Sequence, residues 1–297
     1  MSTSRAPSRA KYERLIQDLG SELRPQREWG EGRGIFLVIG HFVVGVGAGT
    51  WLFGLIFGLR EALALAFALA AAGGVFHLAF LGRPARFLNM VRRVKSSWIS
   101  RGFVGLSIFL VGAPLYLVTE WQVAYALAFA GMIVMMGYMG FVYTASKGIP
   151  FWSTPLHPVL YIAYALRGGI AGVFLTLAII RQPPAEPGVL LGLWIGLTAA
   201  VAVLFVIELH GALTGGNAAS RSSAHALIAG RLALVFYGGT LAIGLVVPAL
   251  FVWAGYADRL SVGTMAAIGV ASALGDFFMK YSTIRAGVHL PVWLSRA

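Results

Sequence analysis

The chain has 297 residues, of which 58% are hydrophobic and 11% charged, with a formal net charge of +12 and no cysteine. Soluble domains are nearer one quarter charged. Here several apolar stretches reach about 20 residues, the length that crosses a bilayer as a helix, so the composition excludes a soluble globular domain and indicates a polytopic helical protein of the lipid bilayer. The missing cysteines exclude disulfides, iron–sulfur ligation and thioether-linked haem within the chain, and the basic excess reports membrane orientation, with no nucleic-acid binding implied.

Residues 1–34 form a polar tail with no apolar core, no small-residue cleavage site and no twin-arginine motif, so the tail does not read as an export signal. Within it Tyr12, Leu15, Ile16, Leu19 and Leu23 recur at helical spacing. That spacing predicts an amphipathic helix over about 8–24, lying on lipid headgroups or docking a partner subunit. Eight membrane spans follow, at about 35–59, 61–81, 103–119, 124–146, 157–180, 188–212, 229–255 and 262–284. The membrane domain is expected to cover 35–292. Glycine is abundant (38 residues) and recurs as GVGAG at 45–49. Small residues let membrane helices approach closely, and packing is the reading of this run.

Between the second and third spans, residues 77–102 read HLAFLGRPARFLNMVRRVKSSWISRG. Six cations lie in it: Arg83, Arg86, Arg92, Arg93, Lys95 and Arg101. A turn between two membrane helices needs none of them, so the loop is expected to face anionic lipid or a partner protein. With the N-terminus placed inside, the tail contributes seven Lys and Arg and this loop six. Lys147, Arg221, Arg231, Lys280, Arg285 and Arg296 make 19 on that side, against Arg60, Arg181 and Arg259 on the other. Such an imbalance predicts an inner (cytoplasmic) membrane protein with both termini cytoplasmic.

Ionisable side chains at membrane depth are costly and tend to mark function. The spans hold His41, His77, Arg167, Glu208, His210 and Asp276, with Tyr138 and Tyr143 late in the fourth span. His210 reads as an interfacial side chain that snorkels to water. Arg167 is placed to pair with Glu208 or Asp276, either as a structural ion pair or as part of a proton path. His41 sits beside the glycine run with no obvious charge partner. A quinone headgroup offers two carbonyls and exchanges two protons on redox change. Histidine, with tyrosine or arginine, supplies the donors and proton carriers it needs. Electrons would have to reach it from a partner.

The run LGRP at 81–84, RFLNM at 86–90 and SSWISRG at 96–102 resembles the membrane-anchor subunits of the polysulfide reductase, DMSO reductase and NrfD type. So do GHFVVGVGAGTWL at 40–52, YTAS at 143–146 with PFWSTPLHPVLY at 150–161, and FFMKYSTIRAGVHLPV at 277–292. The resemblance spans about 35–292, and its weight lies in four motifs in the right order. It implies an eight-helix subunit without haem that binds menaquinone or ubiquinone near one face. That subunit would exchange electrons with a four-cluster iron–sulfur subunit serving a molybdopterin catalytic subunit. The fold class expected is all-α: a polytopic membrane protein of eight helices as two packed four-helix bundles. His41 and Tyr143 match family positions for quinone contact, with His77 and Arg83 expected nearby. Relatives often run His directly into Leu-Gly-Arg-Pro, whereas here His77 lies four residues before Leu81. Arg86, Arg92, Arg93, Lys95, Trp98 and Trp152 are the expected partner-docking residues, and Arg167, Glu208 and Asp276 the expected proton path, with no metal site. Two other readings stand beside this one. In a haem b anchor, His41 and His77 would be the axial ligands; in a proton-coupled secondary transporter, the buried acids and arginine would carry the coupling.

Overall fold

The structure is a computed structural model that describes residue 13 and residues 23–215, 217–255 and 260–290. After a two-residue strand β1 (Arg24–Pro25), the chain forms α1 (Gly34–Ile56) and α2 (Arg60–Phe80). A tightly wound 3-10 segment (Pro84–Arg93) follows, then α3 (Trp98–Thr119), α4 (Gln122–Thr144), α5 (Leu156–Ile179) and α6 (Pro187–Thr214). A short α7 (Ala218–Ile228) precedes α8 (Val235–Gly255), α9 (Val262–Ala286) and strand β2 (Val288–His289). Eight of these helices are long and apolar enough to cross a membrane, all except α7. The shortest have 21 residues, which at 1.5 Å per residue covers the roughly 30 Å hydrocarbon core. The eight expected spans are thus present.

Two span starts move appreciably, and the seventh begins at Val235, six residues later than expected. The third span starts at Trp98, five residues before its expected position, because Ser97 caps it by accepting a hydrogen bond from the Ser100 amide at 3.3 Å. A serine N-cap satisfies a free helix-end donor and starts a helix that hydropathy alone places later. The amphipathic helix expected over 8–24 falls almost wholly outside the described residues; its last residue, Arg24, is in β1.

Helix α5 is the centre of the molecule. Helices α1, α4, α6 and α9 all pack on it, and its face is buried along most of its length. α1 and α5 approach backbone to backbone. A Cβ added at Gly49 would overlap the Ala165 carbonyl, and one at Gly169 would overlap the Gly49 backbone. The glycines of the 45–49 run therefore serve packing, as expected. α8 opens with a wide-turned π-type stretch, Val235–Val246, before regular helix resumes at Val247. Such stretches free backbone carbonyls from the regular ladder. Here the Gly244 carbonyl accepts from Arg167 Nη2 at 2.7 Å.

Residues 23–33 strap the start of α1 to the end of α9. β1 pairs antiparallel with β2, Arg24 opposite His289 and Pro25 opposite Val288. Gln26, almost fully buried, donates its amide to Gly287 O at 2.8 Å and its side chain to Ile284 O at 3.1 Å. Glu31 closes the strap with a 2.5 Å ion pair to Arg285. Lys280 was expected among the cations of the C-terminal end. It lies inside α9 and is 2% exposed, so it belongs to the interior and leaves the charge imbalance one residue smaller on that side.

The contact between α1 and α5 generates a test. Forcing a side chain into a packed interface costs about 1–3 kcal/mol or more. Gly49→Leu should lower the thermal unfolding temperature of the purified protein in detergent. Gly196→Leu, at a site with open space around it, should not. Equal melting of both variants would remove the packing role from Gly49.

Candidate functional site

Where α1, α2 and α4 meet, four polar rings come together. Gly40 lies against the His77 ring, where a Cβ would stand 2.7 Å from Nδ1, so the glycine admits the imidazole to the α1 backbone. His77 Nδ1 donates to the Gly73 carbonyl at 2.7 Å, one turn back on the same helix. In the neutral ring Nε2 is then an acceptor, and the Tyr138 hydroxyl lies 3.2 Å from it. The His41 and His77 rings are 5.1 Å apart. His41, 3% exposed, shares a 2.9 Å hydrogen bond through Nδ1 with the Tyr143 hydroxyl. Its Nε2 has no hydrogen-bond partner among the described residues.

His41, His77 and Tyr138 form the polar end of a cavity of about 280 Å³. Apart from Ser107, the rest of its wall is apolar. Leu81, Phe87 and Met90 come from the 82–102 loop and its entry, Ile99, Phe103 and Leu106 from α3, and Trp29 from the strap. The size lies near the lower end for small-molecule pockets, and a mostly apolar wall with a few convergent polar groups is their usual chemistry. Trp29 stacks on Trp152 at 5.3 Å and meets Tyr143 edge-on at 5.5 Å. The strap is thereby joined to the hydroxyl that holds His41.

Two of the four residues expected at the quinone, His41 and His77, line this cavity. Tyr143 stands one hydrogen bond behind it, and Arg83 is exposed and absent from its wall. Of the expected docking residues, Arg92, Arg93 and Lys95 are exposed on the 3-10 segment and the turn after it. The Arg86 side chain lies outside the described side chains. Trp98 is half-buried, stacked on Phe141 at 4.3 Å beneath the Arg101 guanidinium. Arg101 also donates to the Val94 and Lys95 carbonyls at 3.0 and 2.9 Å, which fastens the loop. Trp152 is buried, and its indole N–H donates to Thr283 O at 3.1 Å. Inside the fold it supports Trp29 and offers no surface.

Deeper in the bilayer, the two alternatives for Arg167 resolve to Asp276, at 2.5 Å. Arg167 also donates to Thr198 Oγ1 at 3.0 Å, and the Trp194 ring lies 5.7 Å away. Glu208 has a different partner, His157, at 2.5 Å, and accepts from Thr154 Oγ1 at 2.8 Å. Neither His157 nor Lys280 is singled out by the sequence reading. The signal for His157 was an imidazole in the first turn of a span, with an acid available on the next one. For Lys280 it was a cation one helical turn after an intramembrane aspartate. His210 is exposed, in keeping with its interfacial reading.

The geometry does not fit a haem held between His41 and His77. The two rings are neighbours with no gap for a macrocycle, and both nitrogens of His77 are engaged. A quinone headgroup fits better, since the polar end offers an imidazole nitrogen and a phenol while the apolar wall suits an isoprenoid substituent.

The family model described as polysulphide reductase, NrfD, matches residues 33–291. The search of curated proteins gave no match. The matched stretch contains all eight spans and the polar cluster at the cavity, and it begins at the end of the strap. The chain therefore belongs to the NrfD family, the membrane subunits of oxidoreductase complexes.

Proposed function

We propose that this chain is the quinone-reactive membrane anchor of a molybdopterin oxidoreductase complex. The reading rests above all on an apolar cavity that ends in His41, His77 and Tyr138, with Tyr143 bonded behind His41. In this role His41 Nε2 holds one oxygen of the headgroup, and Tyr143 fixes the imidazole from the other side. Tyr138 sits between the headgroup and His77, whose ring is immobilised by Gly73. Electrons pass to or from a four-cluster iron–sulfur subunit, because the chain has no cysteine to ligate a cluster of its own. Protons exchanged at His41 leave or arrive through the interior, where Glu208 with His157 and Asp276 with Arg167 are the buried carriers. The quinone, menaquinone or ubiquinone, would be recognised by its headgroup at this end.

The partner is proposed to dock on the face bearing the 82–102 loop, with the 147–157 loop beside it. The α2 and α4 ends that carry His77 and Tyr143 point to that face, so tunnelling distance is short there. The proposed side is the cytoplasm, the side that the cationic count favours.

Loss of one hydrogen bond to a buried carbonyl costs about 1–3 kcal/mol, roughly five- to 150-fold in affinity. His41→Ala should weaken quinol-dependent turnover of the assembled complex by that order while leaving the subunits associated. Unchanged quinol kinetics would reject the site. For orientation, reporter fusions at Ala297 and after Glu120 should report cytoplasm and periplasm respectively, and the reverse pattern would invert the assignment. Reversing the charges of Arg92, Arg93 and Lys95 together should release the partner subunits from the membrane fraction; a complex that stays assembled would move the docking surface elsewhere.

A further inference from the structure

Helix α9 carries two ionisable residues one turn apart, Asp276 and Lys280, each 2% exposed. They are not a simple pair. Asp276 Oδ1 is taken by Arg167, and Oδ2 has no hydrogen-bond partner among the described residues. Lys280 makes no ion pair within 4.0 Å among them. Its ammonium lies over three rings instead: Tyr161 at 5.2 Å, and Tyr164 and Phe42 at 5.8 Å. Space for it is left by Gly45 of α1, where a Cβ would stand 3.4 Å from Nζ. The hydroxyls of Tyr161 and Tyr164 are buried and lack a hydrogen-bond partner in the same sense.

Arg167 and Asp276 neutralise each other, so a protonated Lys280 leaves one uncompensated positive charge inside the bundle. A lasting charge there is costly. Arginine keeps its proton in proteins, whereas a buried lysine can release one. Position adds to this. From the cavity, His41 leads through its hydrogen bond to Tyr143, and the Tyr143 ring is 5.2 Å from that of Tyr161. Tyr161 in turn stacks on His157 at 4.9 Å, the partner of Glu208. Lys280 lies over Tyr161 on one side and shares a helix face with Asp276 on the other.

We propose that Lys280 is a proton-relay residue joining the tyrosines behind the cavity to the Arg167–Asp276 pair. The proposal rests on the quinone reading above. In its step the ammonium gives one proton toward the Asp276 carboxylate and becomes a neutral amine. The amine then takes one proton from the Tyr161 side, which is refilled from His41 as a quinol is oxidised and its electrons pass to the partner. Each pass moves one proton: the N–H bond broken at Lys280 is remade from the Tyr161 side, and Asp276 releases the proton it received to bulk water before the next pass, so a quinol's two protons take the route in succession while its two electrons go to the partner. The titratable groups that face Lys280 are Asp276 on its own helix, Tyr161 and Tyr164 of α5, and His41 of α1, with Arg167 paired to Asp276.

The test uses the whole complex in proteoliposomes, with a soluble benzoquinol and then a soluble naphthoquinol as donor. Lys280→Met keeps the length and removes the proton. Lys280→Arg keeps the charge and holds its proton. Both are expected to assemble, to retain quinol KM within about threefold, and to lose tenfold or more in kcat. Wild-type kcat in either variant would overturn the relay, since a cation needed only for packing on the rings is replaced by Arg, and one not needed at all is replaced by Met. A wild-type complex with no saturable quinol dependence would overturn the quinone reading itself and the relay with it. Should neither variant assemble, ¹⁵N-lysine labelling of the unmutated complex decides. Quinone reduction should then change an isotope-sensitive infrared band that exchanges slowly into deuterated water, and the absence of such a band overturns the proposal.

Discussion

Backbone contact between α1 and α5 at Gly49 and Gly169 sets the register on which the polar interior depends. Lipid gives no hydrophobic force to press helices together, so close approach of small residues has to supply the association. With α1 held there, His41 arrives level with Tyr143 and Gly45 opens opposite Lys280. A slide of α1 by one turn would carry His41 about 5.4 Å along the axis, well beyond a 2.9 Å hydrogen bond. The glycine run at 45–49 and the imidazole of His41 just before it thus form one unit.

The interior is organised as paired charges with single exceptions. Arg167 binds Asp276, the Gly244 carbonyl and Thr198, three partners that a guanidinium fork can serve at once. The wide turns of α8 supply one of them. Glu208 is held by His157 and Thr154. In a medium without water every such pair replaces lost hydration, and a group without a partner stands out. Asp276 Oδ2, Glu208 Oε2 and the Tyr161 and Tyr164 hydroxyls are of that kind, and they lie on or beside the proposed proton route.

Much of the fold was legible because hydropathy over about 20 residues is a strong, local signal. The eight spans, the packing use of the 45–49 glycines and the buried state of His41 all follow from it. Pairings were harder to read. Whether Arg167 meets Glu208 or Asp276 depends on helix rotation, which no window of sequence reports. Lys280 was counted with the cations of the C-terminal end because it lies four residues before the expected end of the span at 284, within snorkelling reach of an interface. Arg83 and Trp152 illustrate the same gap from opposite sides. A motif position put Arg83 near the quinone, but its side chain is exposed and lies outside the cavity wall. Trp152 sat in a loop, but the strap's Trp29 folds over it and takes it inside.

The strap has a consequence for the order in which the molecule is made. Its bonds reach Ile284, Arg285, Gly287, Val288 and His289, more than 250 positions further along the chain. A chain made from the N-terminus inserts α1 long before those residues exist. Until the last span is in place, Trp29 rests only on Trp152 and Tyr143, without the backbone bonds that fasten its segment. That part of the cavity wall is fastened only late in biogenesis, and its fastening reports that α9 has been inserted.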